Sequence, residues 1–210
     1  MNKIPRIFIY TILTTAISTS VQASTDLTFT ADTSNLFGTT GTLYIDFISG
    51  GNATINIAAL SSFSSDGVSG TATPSGDVIG SLPSSVTLNT NSFFNELAQS
   101  FTFGNKISFK LNFTQNGPDP SGTPDAFSLF VADASNNLIP TTDPTGSNAL
   151  FLFNIDGTST GNLNAYTLPN GLTPWQVTTV AAIPIPSAIW FFISGVLGLK
   201  LASRPRQQQI

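Results

Sequence analysis

The side chains that could carry out chemistry in this chain are almost all carboxylates. The 210 residues include no histidine and no cysteine, and Glu96 is the only glutamate among eleven acidic residues. The usual general base, the thiolate nucleophile and the soft metal ligands are therefore missing. Acid–base chemistry would depend on aspartates, and a glycosidase would need two carboxylates that face a sugar.

Two pairs of aspartates are candidates for that role. Asp119 could pair with Asp125, and Asp133 could pair with Asp143. All four lie among Pro, Gly, Ser and Asn residues, where aspartate ordinarily forms turns. The turn interpretation is favoured, so we predict no catalytic residue and no enzymatic activity.

Oxygen-rich loops make calcium a second candidate chemistry. The segments 154–158 and 119–125 each offer several oxygen ligands. Neither has the spacing of the twelve-residue calcium loop or of a calcium-binding nonapeptide repeat. We predict no required cofactor and no defined metal ligands, and we keep calcium as an alternative.

Aromatic side chains offer a third chemistry, because aromatic rings can stack on sugar rings. Tyr44, Tyr166 and Trp175 are candidates of this kind. Packing within a β domain is the alternative for each of them. An extracellular carbohydrate-binding module is therefore the rival function, with Tyr166 and Trp175 as the candidate glycan contacts.

The elements that must position these residues are predicted to be β-strands. Apolar residues alternate with polar ones over 43–47 and again over 107–113, which is the two-residue period of a strand with one buried face. Gly-, Asn- and Asp-rich turns separate the runs. The pattern predicts an all-β fold over residues 24–180, an antiparallel β-sandwich of jelly-roll or Ig-like type. Further strands are predicted at 27–31, 54–60, 85–88, 127–132, 149–154 and 163–168.

Two further segments lie outside these predicted strands. Asn91 or Ser92 could cap a short helix through Ala98, or the same residues could lead a strand into Phe101 and Phe103. Both alternatives stay open. Residues 172–180 are predicted to be an extended linker between the β domain and the C-terminal segment.

The charges of the chain are unevenly distributed. Residues 24–180 contain all eleven acids but only Lys106 and Lys110 of the seven bases, which gives a formal charge of −9. A basic surface for phosphates is missing, so nucleic acid is excluded as a partner.

The N-terminus has the pattern of a cleavable signal peptide. Lys3 and Arg6 precede an apolar stretch over 7–17, and small residues at 21–23 come before Ser24. We predict a signal peptide over residues 1–23, cut between Ala23 and Ser24 by signal peptidase. The alternative is a buried N-terminal helix.

The C-terminus has a second, different signal over residues 181–210. Pro184 and Pro186 are followed by Trp190, by an apolar run with Gly195 and Gly198, and then by three cations: Lys200, Arg204 and Arg206. The apolar run is at the short end for a transmembrane helix. The prolines keep the preceding backbone extended, and the cations suit the cytoplasmic side of a membrane.

This C-terminal segment resembles the PEP-CTERM sorting signal, in the branch with Val-Pro-Leu-Pro in place of Val-Pro-Glu-Pro. The resemblance implies export by a Gram-negative bacterium, transient retention in the inner membrane, processing near the prolines by an exosortase, and delivery to the cell surface or an exopolysaccharide biofilm matrix. Ile185 stands where the name-giving glutamate would be, and uncharged residues dilute the basic tail. An ordinary C-terminal anchor without processing is the alternative.

The body is similar to one group of PEP-CTERM cargo proteins. The similar segments include Asp32–Leu36, Gly76–Pro83 and the Phe-Thr-Phe-Gly run from Phe101. That group has no assigned molecular activity. This second resemblance therefore implies a relationship to those proteins but no biochemical role.

Overall fold

The computed structural model describes residues 24–120, 122–157, 162–167 and 176–181. These residues form strands and one short 3-10 helix, Ser34–Leu36. In chain order the strands are β1 (Ser24–Asp32), β2 (Thr40–Ile48), β3 (Ile57–Ser65), β4 (Val68–Ser75), β5 (Val78–Gly80), β6 (Val86–Asn89), β7 (Phe94–Thr102), β8 (Lys106–Thr114), β9 (Asp125–Asp133), β10 (Phe151–Ile155), β11 (Asn162–Ala165) and β12 (Gln176–Ala181).

The strands form two antiparallel sheets of six strands each. The order in the first sheet is β12-β1-β8-β3-β6-β5, and the order in the second is β11-β10-β9-β2-β7-β4. The predicted all-β, antiparallel class is therefore confirmed. The alternating runs predicted at 43–47 and 107–113 fall inside β2 and β8, with their apolar residues buried.

Phenylalanines from both sheets pack together in the core. The ring of Phe113 on β8 stacks on Phe153 of β10 with the centroids 4.7 Å apart, and it meets Phe127 of β9 edge-on at 5.1 Å. Phe29 of β1 meets Phe151 of β10 edge-on at 4.6 Å. These contacts join the inner faces of the two sheets in a sandwich-like arrangement.

The loops gather at two ends of the sheets. The near end comprises Ser24 at the start of β1, Ala181 at the end of β12, and the loops 49–56, 90–93 and 115–124. The opposite end comprises the loops 33–39, 103–105 and 134–150. The near-end loops are joined by backbone hydrogen bonds, from Ser49 N to Phe93 O at 2.8 Å and from Thr90 N to Asn56 O at 3.0 Å.

The segment after Asn91 is a strand, not a helix. In β7 the inward positions include two amides, Asn95 and Gln99, which are at most 1% exposed. Their hydrogen-bonding groups are occupied by backbone: Gln99 accepts from Leu82 N at 2.9 Å and donates to Leu82 O at 2.8 Å. Polar residues at buried positions hide the two-residue period, which explains why the helix alternative stayed open.

The linker interpretation of 172–180 is wrong for its C-terminal part. Residues 176–181 form β12, which pairs with β1 from Thr25↔Ala181 to Thr30↔Gln176. The β-branched Val and Thr residues of this segment favour a strand. Strands β4 and β5 were not predicted from the sequence, since β4 is an exposed edge strand without a clean apolar alternation.

Both chain ends lie largely outside the described residues. This applies to the signal peptide predicted over 1–23 and to the predicted membrane segment and basic tail beyond Ala181. In the described part of the chain, no helix has the length and apolarity to cross a membrane.

Candidate functional site

The residues predicted to act in sorting lie outside the described residues. They are Ala23 at the signal cleavage site and, in the C-terminal signal, Pro184, Pro186, Trp190, Gly195, Gly198, Lys200, Arg204 and Arg206. The described chain comes closest to both signals at Ser24 and Ala181. Because Thr25 and Ala181 are direct partners in the β1–β12 ladder, these two points are neighbours at the near end.

Only one of the two candidate glycan contacts falls within the described residues. Tyr166 follows β11, is half-buried, and donates its backbone N–H to Leu150 O at 2.9 Å. Trp175 lies outside the described residues.

Asp119 and Asp125 both bind the loop 49–56. Asp119 Oδ2 accepts from Ala53 N at 2.9 Å, whereas Asp125 Oδ1 accepts from Gly50 N at 2.6 Å and from Asn52 Nδ2 at 3.1 Å. Asp125 is 1% exposed, and all of these donors are supplied by the opposing loop. Both aspartates therefore fasten the loop 49–56 to the segment 119–125, a long-range role that differs from the local turn role predicted from the sequence.

Asn56 completes this buried network at the near end. It is fully buried, and its Nδ2 donates to Asp125 Oδ2 at 2.9 Å and to Asn116 O at 2.8 Å. Its Oδ1 accepts from Thr114 Oγ1 and from Asn116 N. The loops approach so closely that a Cβ at Gly50 would lie 1.9 Å from Thr123 O, so glycine is required there.

Asp133, at the end of β9, and Asp143, in the loop 134–150, each accept hydrogen bonds from residues that follow them in a turn. Asp133 Oδ1 accepts from the backbone of Ser135 and Asn137 at 2.9 Å, and the hydrogen bonds from Asn137 lower its pKa. Burial works to raise the pKa of Asp143, but hydrogen bonds from Ser147 and Thr145 outweigh it and lower the pKa to about 2. Both carboxylates are held in the ionised form by local donors.

A carboxylate pair that sequence reasoning missed lies on the outer face of the second sheet. Asp46 of β2 is the direct cross-strand partner of Glu96 of β7. Both are half-buried and alternate with core residues, so their side chains point away from the core. Ser128 of β9 is the partner of Asp46 on the other side, and it supplies no charge.

One oxygen of Asp46 lacks the donor that an ionised carboxylate needs. Asp46 Oδ1 is buried without a hydrogen-bond partner. Burial raises the pKa of Asp46 from its ordinary value of 3.8 to about 7, and the neighbouring charge of Glu96 adds to the effect. Asp46 therefore holds its proton to near-neutral pH, because burial disfavours its charged form and a second carboxylate lies beside it.

Aromatic residues lie beside the pair on the same face. Tyr44 of β2 and Phe130 of β9 are cross-strand partners one position further along the outer face. The Tyr44 hydroxyl donates to Asn136 Oδ1 in the loop 134–150. A ring surface next to carboxylate acceptors is the combination that stacks on and hydrogen-bonds to a sugar.

The second-sheet face could have been found from the sequence in part. Asp46 and Tyr44 belong to the alternating run of β2, so both are predicted to point outward. Glu96 lay in the segment with two open alternatives, and only the strand alternative together with the β2–β7 pairing places it opposite Asp46. A single sequence does not indicate which strands about fifty residues apart become neighbours in a sheet.

No cluster of three or more acidic, histidine or cysteine side chains in the described ranges is placed to hold a metal ion. In the candidate calcium segment 119–125, the carboxylates of Asp119 and Asp125 accept hydrogen bonds from the loop 49–56. The candidate at 154–158 ends at Thr158, outside the described residues.

Comparisons of this chain with protein-family models, with curated proteins and with solved structures find no match.

Proposed function

We propose that this protein is an exported, non-enzymatic surface or biofilm-matrix protein, sorted and processed by an exosortase. The observation that carries the proposal is the order of features at the C-terminus: Pro184 and Pro186, Trp190, the apolar run, then Lys200, Arg204 and Arg206. Signal peptidase would first cut between Ala23 and Ser24. The precursor would then stay in the inner membrane until exosortase acts near the prolines.

The described domain supports this order of events. Its last strand ends at Ala181, so a cut near 183–186 removes no strand of either sheet. The acidic body lacks a basic surface for nucleic acid. Exopolysaccharide is the proposed matrix partner because the resemblance of the C-terminal segment to the PEP-CTERM signal implies it. The two antiparallel sheets are consistent with the proposed β-sandwich, and a jelly-roll or Ig-like type remains the proposal made from the sequence.

The sorting proposal is tested by replacing both Pro184 and Pro186 with alanine in the producing bacterium. We expect full-length precursor to accumulate in the inner membrane, because the extended segment is no longer presented to the enzyme. Pro144→Ala is the matched control, since Pro144 is exposed in the loop 134–150. The C-terminus of the surface protein is read by mass spectrometry. The proposal is contradicted if the double variant reaches the surface and still carries the C-terminus of the full chain.

A carbohydrate-binding module is the second candidate function. The observation that favours it is the outer face of the second sheet, where Tyr44 and Phe130 lie beside Asp46 and Glu96. The rings would supply stacking surface, and Glu96 would accept hydrogen bonds from sugar hydroxyls. Tyr166 and Trp175 remain an alternative contact set, and calcium remains an optional ligand.

Glycan arrays with the purified protein distinguish these two sets of contacts. If the second-sheet face binds sugar, saturable binding falls at least tenfold in Tyr44→Ala or Phe130→Ala and persists in Tyr166→Ala and Trp175→Ala. The reverse result assigns the site to Tyr166 and Trp175. A chelator arm tests calcium, and absence of saturable binding to any glycan excludes the module function.

A further inference from the structure

The near end of the sheets carries both points at which the described chain meets its predicted signals. Ser24 opens β1, and Ala181 closes β12 directly beside it. The predicted membrane helix begins at about Ser187, six residues after Ala181. Six extended residues reach at most about 20 Å, so a bilayer that contains this helix must lie close to the near end.

The opposite end is held much further from such a bilayer. The nine residues of β1 run from the near end to the opposite end. At about 3.3 Å per residue they separate the two ends by roughly 30 Å. Attachment through β12 therefore distinguishes the two ends even without any contact to lipid.

Apolar side chains are exposed at the near end. Phe93 is 74% exposed and lies in the loop 90–93, while Ile55 is 38% exposed in the adjacent loop 49–56. These two loops are hydrogen-bonded to each other through Ser49 and Phe93. The buried Asp125–Asn56 network fixes the loop 49–56 from beneath, so Ile55 is presented on a rigid base.

The charges at this end select the kind of lipid. Asp77 and Asp119 lie in near-end turns, whereas the lysines of the described body, Lys106 and Lys110, lie at the opposite end and within β8. An anionic bilayer would repel such a surface. A zwitterionic surface accepts exposed phenylalanine and isoleucine in its interfacial layer without that repulsion.

We propose that the near end is a lipid-contacting surface while the chain is anchored, with Phe93 and Ile55 in the interfacial layer of a zwitterionic bilayer. This inference rests on the proposed membrane retention of the C-terminal segment. It adds that the domain sits with a fixed end towards the membrane and presents the loops 33–39, 103–105 and 134–150 outward. The two processing sites then lie side by side at the bilayer surface.

The absence of cysteine from the chain allows a direct test. The full chain is made with a single cysteine at Phe93→Cys, carries a fluorophore there, and is reconstituted into phosphatidylcholine vesicles with nitroxide-labelled lipid. We expect quenching several-fold stronger than for Phe37→Cys, the matched control, because Phe37 is 63% exposed but lies at the opposite end. Adding anionic lipid should weaken the quenching at position 93.

A third labelled variant, Ser194→Cys, separates the inference from the proposal beneath it. Strong quenching at 194 with equal, weak quenching at 93 and 37 would overturn the lipid-contact inference and leave membrane retention intact. Absence of quenching at 194 would overturn the retention proposal and the inference with it. Strong quenching at 93 and 194 but not at 37 supports both.

Discussion

The carboxyl group of Asp46 makes the stability of the folded protein depend on pH. Its pKa in the folded protein is about 7, whereas the unfolded chain has the ordinary value of 3.8. The stability that this group contributes is therefore fully present below pH 3.8 and is lost as the pH rises through 7. One pKa unit corresponds to about 1.4 kcal/mol, so the loss is bounded at roughly 4 kcal/mol.

We expect Asp46→Asn to stabilise the protein at pH 8 by on the order of 1–2 kcal/mol, because the amide removes the burial cost of a charge. The variant should also unfold in urea with the same midpoint at pH 5 and pH 8, while the parent loses stability over that interval. Urea unfolding at both pH values measures this.

Asp66 provides a control, because its pKa is shifted in the opposite direction to that of Asp46. Its side chain is exposed, and hydrogen bonds from Asn105 lower its pKa to about 2. Asp66→Asn should lower stability slightly at both pH 5 and pH 8, because both values lie above the pKa of the unfolded aspartate. A parent protein whose stability rises from pH 5 to pH 8 would contradict the assignment for Asp46.

The near-end loops depend on one buried carboxylate. Asp125→Ala would remove the side-chain acceptor of Gly50 N and one of the two acceptors of each amide nitrogen, Asn52 Nδ2 and Asn56 Nδ2. We expect a loss of about 3 kcal/mol or more in the free energy of unfolding. Asp119→Ala removes an exposed acceptor of the loop 49–56, and it should lower the free energy of unfolding by less than about 1 kcal/mol. Equal losses in thermal or urea unfolding would contradict a special role for Asp125.

At the scale of elements, the sheets are held together by aromatic packing. Phe113 is fully buried and contacts the rings of Phe127 and Phe153 across the interface. We expect Phe113→Ala to cost about 3–5 kcal/mol through lost burial and a cavity. Phe93→Ala removes the same side chain from an exposed site and should change stability by less than about 0.5 kcal/mol. Calorimetry of the two variants tests the contrast, which disappears if Phe113 is not part of the core.

The strands that were predictable are those with one apolar and one polar face. β2 and β8 alternate cleanly because each lies in the middle of its sheet, with the core on one side and solvent on the other. β7 was ambiguous because Asn95 and Gln99 occupy buried positions and satisfy backbone groups there. β4 has little apolar burial, so nothing in its sequence distinguishes it from a loop.

The candidate site was less predictable than the fold for a related reason. The turn roles of Asp133 and Asp143 follow from local sequence, since each accepts hydrogen bonds from residues that follow it in the chain within six positions. The Asp46–Glu96 pair depends on which strands are neighbours, and that is decided by the packing of whole sheets. A site formed by residues of two strands that are distant in the sequence cannot be predicted from the local pattern of either strand.

At the scale of the whole molecule, β12 decides where the folded domain ends. If Gln176–Ala181 is an integral strand, a protein that runs from Ser24 to Ala182 keeps every pair of the β1–β12 ladder. A version that stops at Trp175 exposes one edge of β1 to water. A cut near Pro184 is then harmless to the fold, whereas a cut ten residues earlier is not.

We therefore expect the 24–182 version to melt within about 1 °C of a 24–187 version, and the 24–175 version to melt at least about 5 °C lower. For a domain of this size roughly 2–4 °C accompanies each kcal/mol, so the drop corresponds to a loss of about 2 kcal/mol. Amide hydrogen exchange should become faster in β1 and stay unchanged in β2, which lies in the other sheet. Equal melting temperatures for all three versions, with unchanged exchange in β1, would restore the linker interpretation of this segment. They would also remove the short tether on which the orientation of the near end towards the membrane depends.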